Sequence, residues 1–166
     1  MDLEDTIREL TPGLIRYCTA RTRDRNLAEE IAQESLAVLV QRWRKHTVPE
    51  SPKAFVFAIA RRRATRAVLR QRLRVPLRLL AESRDKAPDP EAKALGRSEC
   101  AALARALERL PAHDREALLL VTLANLKIPE AARVLAISES ALKMRMLRGR
   151  RRLRALLEDG HEPAGR

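Results

Sequence analysis

The chain has 166 residues, which is enough for two domains of roughly 60–90 residues each. It carries 34 Lys and Arg against 22 Asp and Glu, a formal net charge of +12 at pH 7. Hydrophobic residues make up 45% of the chain, aromatic residues only 2%, and there are five glycines. This composition supplies a core of Leu, Ala, Val and Ile and argues against disorder, β-rich folds and Gly-rich phosphate loops. We expect an all-helical protein.

Membrane, secreted and metal-binding classes are also disfavoured. No run approaches the ~18 apolar residues that a membrane span requires, and the acidic start of the chain has no apolar signal segment. Cys18 and Cys100 form neither a disulfide framework nor a zinc pattern, and the three histidines are scattered singly. No nucleophile–base arrangement is present. We therefore expect a cytoplasmic protein that is not an enzyme and needs no metal or cofactor.

Apolar spacing predicts two helices at the start of the chain. The first begins near Leu3, and Pro12 is expected to break or restart it. The second follows a side-chain cap at Asp24 or Asn26, and its apolar stripe runs on to Trp43.

A third helix and a linker follow. Two prolines mark a loop over 46–52, and the next helix is expected over about 53–72. Beyond Leu73 the apolar pattern fades and prolines recur, which indicates a linker. The predicted architecture is two small helical domains and a flexible linker, over 1–74, 96–160 and 75–95 respectively.

Four helices are expected in the C-terminal half, with prolines at helix starts. The last two have the features of a helix-turn-helix, because Ala132 permits close packing, Ile137 fills the corner and Ser138 can cap the second helix. Ala136 occupies the turn, where a positive φ would cost alanine roughly 1 kcal/mol. The four predicted ranges are about 96–109, 111–124, 129–136 and 138–158.

The final helix has two distinct faces at ~100° per residue. Leu142, Met146, Gly149 and Leu153 point inward. The outward face combines cations with an exposed apolar pair, which suits a DNA groove where thymine methyls lie beside phosphates. An ordinary helical hairpin with a solvated basic face is the alternative. The predicted DNA-binding residues are Ser140, Lys143, Met144, Leu147, Arg148 and Arg151.

Positive charge is concentrated in two segments. Residues 61–74 and 143–154 each carry seven Lys or Arg and no acid. Two separated basic helices suggest two contacts with one long polyanion. The alternative is a soluble, Arg-rich protein from a GC-rich genome.

The second helix carries an acid-and-amide strip. Such a strip on a protein of net charge +12 should repel DNA and attract an Arg-bearing protein surface. A solvated helix face is the alternative. The acidic strip consists of Glu30, Gln33, Glu34, Ala37 and Gln41.

Four segments resemble, in order and spacing, motifs of the extracytoplasmic-function (ECF) sigma factors, which direct bacterial RNA polymerase to promoters. In the N-terminal half, LAEEIAQESL at 27–36 and SPKAFVFAIAR at 51–61 resemble region 2 of that family. In the C-terminal half, LERLPAHDREALLL at 107–120 resembles the entry to region 4, and 131–153 resembles its recognition segment.

The resemblance implies contacts with core polymerase, with promoter DNA and with a regulatory protein. The acidic strip would bind the β′ clamp helices of core polymerase, with the β flap as a further partner surface. The last helix would read the promoter −35 element, and the loop over 46–52 would receive a flipped base. An anti-sigma factor is a candidate partner. The −10 element would be bound and melted by Phe57, Arg61, Arg62 and Arg66.

The third helix suits melting chemically, because arginines can follow phosphates while aromatic groups replace the stacking lost when a duplex opens. Either phenylalanine could instead belong to the core, and we expect Phe55 to do so.

Three other functions compete with a polymerase specificity subunit. A stand-alone helix-turn-helix regulator would bind duplex sites tightly without polymerase. A basic coating protein would bind according to salt and length rather than sequence, which leaves the acidic strip unexplained. A recombinase or nuclease would need a carboxylate cluster, and none is recognisable.

Overall fold

A computed structural model describes the backbone of residues 2–78 and 92–159 and the side chains of residues 2–71 and 99–158. These residues form seven α-helices and no strand, which confirms the all-helical prediction. The helices are α1 (Leu3–Thr22), α2 (Arg25–Arg44), α3 (Pro52–Arg78), α4 (Ala92–Arg109), α5 (Ala112–Thr122), α6 (Ile128–Leu135) and α7 (Glu139–Asp159).

Helix α1 continues through Pro12, so the predicted break is wrong. Proline has no N–H, and the Arg8 carbonyl four residues earlier therefore lacks its helical donor. Pro12 and Arg8 are both exposed, so water can reach this side of the helix. The defect lies away from the core and does not end the helix.

Helices α1, α2 and α3 pack together as the N-terminal half of the molecule. Asp24 caps α2, as predicted, because its carboxylate accepts a hydrogen bond from the Leu27 N–H at 3.1 Å. Tyr17 and Phe57 are fully buried, and their rings meet edge to face with centroids 5.7 Å apart. The core is otherwise aliphatic, as the composition predicts, and includes Leu14, Leu39 and Val56.

Helix α3 is longer than predicted, and it runs to Arg78 rather than ending near 72. Helix α4 likewise begins at Ala92, inside the predicted linker. Leu and Arg are strong helix formers and are frequent here, so the backbone stays helical after the apolar pattern fades. The rest of the predicted linker, 79–91, lies outside the described residues.

Helices α6 and α7 form the predicted helix-turn-helix. Ser138 caps α7 by accepting a hydrogen bond from the Ala141 N–H at 3.2 Å. Ala136 ends α6 in the left-handed region, with φ 53° and ψ 46°. Alanine therefore adopts the positive φ that would favour glycine at this turn.

Helix α7 packs across α5 through the inward face that was predicted for it. Leu142 and Met146 are buried, and Gly149 lies at the closest approach. A Cβ atom at Gly149 would come within 3.0 Å of Leu118 Cδ1. The glycine therefore sets how closely the two helices can approach.

The two halves pack directly on each other and share one hydrophobic core. Helix α3 lies against α6, and α1 reaches α5. The Lys53 ammonium donates a hydrogen bond to the Asn125 carbonyl at 2.8 Å across this boundary. A Cβ atom at Gly13 would lie 3.4 Å from the Ala124 carbonyl oxygen, so backbone meets backbone here.

Candidate nucleic-acid and polymerase interfaces

The six residues predicted on the outward face of α7 are all exposed and lie on one side of the helix. Met144 and Leu147 are 50% and 53% exposed, about as much as the neighbouring Arg148 side chain at 52%. An apolar pair this exposed gains nothing in water and is available to a partner. The face consists of Ser140, Lys143, Met144, Leu147, Arg148 and Arg151.

A buried carboxylate behind this face contacts two of the α7 arginines. Asp114 on α5 lies 2.7 Å from the Arg152 guanidinium and 3.5 Å from that of Arg148. Neither Asp114 nor Arg152 is among the residues predicted from the sequence. The only local signal was the spacing of Arg148 and Arg152, one helical turn apart.

The basic segment of α3 is divided between solvent and the interior. Arg62 and Arg66 are exposed as predicted, whereas Arg61 is partly buried. The Arg61 Nε lies 3.9 Å from the Glu116 carboxylate of α5. In this arrangement Arg61 faces the other half of the molecule rather than a DNA strand.

The two phenylalanines of α3 differ in how deeply they are buried. Phe57 is 1% exposed and packs on Tyr17, so its ring has no free face on which a base could stack. Phe55 is only partly buried, and the Arg42 guanidinium lies 5.9 Å from its ring centroid. The expectation that Phe57 contacts opened DNA does not fit this structure. Phe55 packs against the core as a partly buried residue.

The acidic strip on α2 is a continuous exposed surface. Glu30, Gln33, Glu34, Ala37 and Gln41 are all exposed. Glu34 also forms an ion pair with Arg63 of α3, so part of its charge is already neutralised within the chain. Glu30 and its amide neighbours are the freer part of the strip for a cationic partner.

A buried polar cluster joins the two halves and was also missed. The Glu116 carboxylate accepts a hydrogen bond from the Tyr17 hydroxyl and pairs with Arg21 at 2.9 Å. Burial raises the pKa of Tyr17 well above its usual 10.0, and the negative charge of Glu116 raises it further. Tyr17 therefore remains a neutral hydrogen-bond donor at neutral pH.

Two further features concern metals and membranes. Across the described side chains, no group of three or more His, Cys, Asp or Glu is arranged to hold a metal ion. No helix among the described ranges is both long and apolar enough to cross a bilayer.

The sequence matches two family models. Residues 6–74 match sigma-70 region 2, and residues 100–153 match sigma-70 region 4. The first range covers most of α1, all of α2 and most of α3, and the second covers most of α4 together with α5, α6 and most of α7.

Similar proteins agree with these matches. The ECF RNA polymerase sigma factor ShbA of Streptomyces griseus is 33% identical over 165 residues, which span 93% of this chain and 86% of ShbA. The RNA polymerase sigma factor NccH of Alcaligenes xylosoxydans is 36% identical over 78 residues, or 47% of this chain and 42% of NccH.

Solved structures share the fold. CnrH in complex with the cytosolic domain of CnrY has a TM-score of 0.69 at 19% identity, over 95% of this chain and 88% of that one. The sigma factor RpoE of Bartonella quintana, solved with the anti-sigma factor NepR, has a TM-score of 0.67 at 22% identity, over 93% and 96%.

The family models, the similarity to ShbA along most of the chain and the helix-turn-helix with its cationic outer face therefore lead to one assignment. The chain belongs to the ECF sigma factors of the sigma-70 family, non-catalytic initiation factors, and it binds core RNA polymerase and directs promoter-specific transcription initiation.

Proposed function

We propose that three separate surfaces of this sigma factor divide the work of initiation. The outward face of α7 reads the −35 element, the exposed arginines of α3 bind the −10 element, and the acidic strip of α2 docks on the β′ clamp helices. The observation that carries this division is the segregation of charge. A strip of acid and amide groups lies on α2, whereas α3 and α7 expose arginines.

The α7 face supports base reading in the major groove. Arg148 and Lys143 supply donors that match the acceptor edge of guanine, and Arg151 can follow a phosphate. Met144 and Leu147 offer the apolar contact that a thymine methyl requires. Ser140 lies in the first turn of α7, where backbone N–H groups favour an anion.

The −10 contact rests on Arg62 and Arg66, because both are exposed on α3. Arg61 joins them once it leaves Glu116. Phe57 packs in the core beneath this face and does not stack on a base. Val48 lies in the loop between α2 and α3 and is 42% exposed. We propose that it makes the apolar contact with a base flipped into that loop.

Regulation and location follow from the same proposal. RpoE, which shares this fold, was solved with an anti-sigma factor, and we propose that an anti-sigma factor also binds this chain. We further propose that region 4 docks on the β flap of polymerase. Because its partners are core polymerase and promoter DNA, we propose that it acts in the cytoplasm.

Transcription in vitro tests the proposal. The purified chain and core polymerase are given a library of genomic fragments, and the 5′ ends of the transcripts are mapped. We expect defined start sites that share one −35 and one −10 sequence. Transcripts that start equally with and without the chain would contradict the proposal. A chain that binds the same duplex sites tightly without polymerase would favour the stand-alone regulator instead.

A further inference from the structure

Asp114 lies where α5 crosses α7, behind the DNA-facing side of α7. Its side chain is 3% exposed and belongs to the first turn of α5. Arg152 lies 2.7 Å from Oδ2, and Arg148 lies 3.5 Å from Oδ1. One buried carboxylate therefore holds two cations from successive turns of the neighbouring helix.

The close crossing at Gly149 produces this arrangement. A Cβ atom there would lie 3.3 Å from the Asp114 carbonyl oxygen and 3.0 Å from Leu118 Cδ1. Arg148 is adjacent to this crossing and Arg152 follows it by three residues, so both side chains can reach back to Asp114. A larger residue at 149 would push α7 away and lengthen both contacts.

Both arginines remain accessible from the other side. Their side chains are 52% and 51% exposed even though each contacts Asp114. A guanidinium has five N–H donors in a fixed planar fork. Donors that face Asp114 can therefore fix the rotamer while the outer donors stay available to DNA.

We propose that Asp114 is a positioning residue for promoter reading, which orients Arg148 and Arg152 from behind and thereby raises discrimination between −35 sequences. The proposal rests on the assignment of α7 to the −35 element. An arginine held in one orientation can make the bidentate contact that distinguishes guanine from other bases. An arginine released from Asp114 is free to follow any phosphate.

This role predicts two effects of opposite sign. Removing the negative charge of Asp114 adds one unit of positive charge to the DNA-binding half and releases two guanidinium groups. Affinity for DNA of any sequence and its dependence on salt should both increase. Discrimination between sequences should decrease. If Asp114 only stabilised the fold, its removal would lower the affinity for the preferred −35 sequence and the affinity for other DNA together.

The experiment uses the full chain with core polymerase and a duplex library in which the −35 segment is randomised. Asp114→Asn should lower base preference at the position that Arg148 reads by about tenfold. It should also raise affinity for a −35-less duplex by about threefold and steepen its salt dependence. The matched control is Glu139→Gln, which removes the same charge from an exposed position in the first turn of α7. The control should raise non-specific affinity and leave base preference unchanged.

The outcomes separate this proposal from the assignment beneath it. If wild-type holoenzyme enriches no −35 sequence, the assignment of α7 is wrong. If wild type enriches a sequence and a folded Asp114→Asn variant enriches it equally, or loses specific and non-specific binding together, Asp114 is not a positioning residue. Should circular dichroism show that this variant does not fold, Asp114→Glu decides the question. It keeps the charge but displaces the oxygens, so base preference should fall with the salt dependence unchanged, and an unchanged preference would overturn the proposal.

Discussion

The Tyr17 hydroxyl of α1 donates a hydrogen bond to the Glu116 carboxylate of α5, and the two residues are 99 positions apart in the chain. Both side chains are buried, and Arg21 balances the charge of Glu116 at 2.9 Å. A carboxylate from the C-terminal half is thus held by two groups from the N-terminal half. Because an unpaired buried charge is costly, the cluster favours one arrangement of the two halves.

The first prediction concerns this cluster. Glu116→Ala leaves the largely buried Arg21 without its oppositely charged partner and should cost about 3–5 kcal/mol of unfolding free energy. Tyr17→Phe should cost about 1–3 kcal/mol. Urea unfolding of both single variants and the double variant gives the coupling between the two sites. The control is Glu108→Gln, which breaks the exposed pair with Arg23 and should cost at most about 1 kcal/mol. Additive effects of Tyr17→Phe and Glu116→Ala would contradict the contact.

The second prediction concerns alkaline pH. Burial raises the pKa of Cys18 from 9.0 to about 12, so the folded protein holds this proton more tightly than the unfolded chain does. The contribution to stability is complete below pH 9 and is lost as pH rises towards 12. Cys18→Ala should therefore flatten the decline of unfolding free energy over that range. Cys100→Ala is the control because that thiol is exposed, and an unchanged slope in Cys18→Ala would refute the prediction.

The third prediction concerns the turn of the helix-turn-helix. Ala136 holds φ 53°, a conformation that glycine adopts without steric penalty, so Ala136→Gly should raise the unfolding free energy by about 1 kcal/mol. The control is Ala155→Gly at an exposed position inside α7, which should lower it by about 1 kcal/mol. Denaturant melts of both variants measure the difference. A loss of stability in Ala136→Gly would show that the strain is absent.

The fourth prediction concerns −35 reading. Arg148→Ala should weaken −35-dependent initiation by about 1–3 kcal/mol in apparent binding, with a larger loss on promoters that keep the preferred base than on promoters that lack it. Arg154→Ala removes the same charge from another exposed position of α7 and should weaken all promoters alike. Initiation rates on matched promoter variants measure both effects. Equal discrimination by wild type and Arg148→Ala would remove this residue from readout.

Local features of the fold could be predicted because they depend on residues close together in sequence. The Asp24 and Ser138 caps bond backbone groups three residues away, and the inward face of α7 follows from helical periodicity. Pro12 shows the limit of local rules. A proline breaks a helix only where water or another group cannot replace the lost hydrogen bond. Whether water reaches that carbonyl depends on how the neighbouring helices pack.

The missed features depend on contacts distant in sequence. Phe55 and Phe57 lie about 200° apart on α3, and the position of α1 alone decides that Phe57 meets Tyr17. In the sequence, Asp114 is an acid in the first turn of a helix, which is a common position. In the structure it contacts two arginines of α7 that are 34 and 38 residues away. No periodicity within one helix contains that information.

The claim that α2 holds the polymerase-docking surface is tested most directly by Glu30→Arg combined with Gln33→Arg. Both positions are exposed, so the variant should stay folded while its strip repels a cationic partner. Glu9→Arg combined with Gln71→Arg makes the same change of charge at exposed positions outside the strip. Co-elution with core polymerase in size-exclusion chromatography is the measurement. We expect that the strip variant no longer co-elutes with core polymerase while the control variant does. Normal co-elution of a folded strip variant would show that α2 does not hold the docking surface.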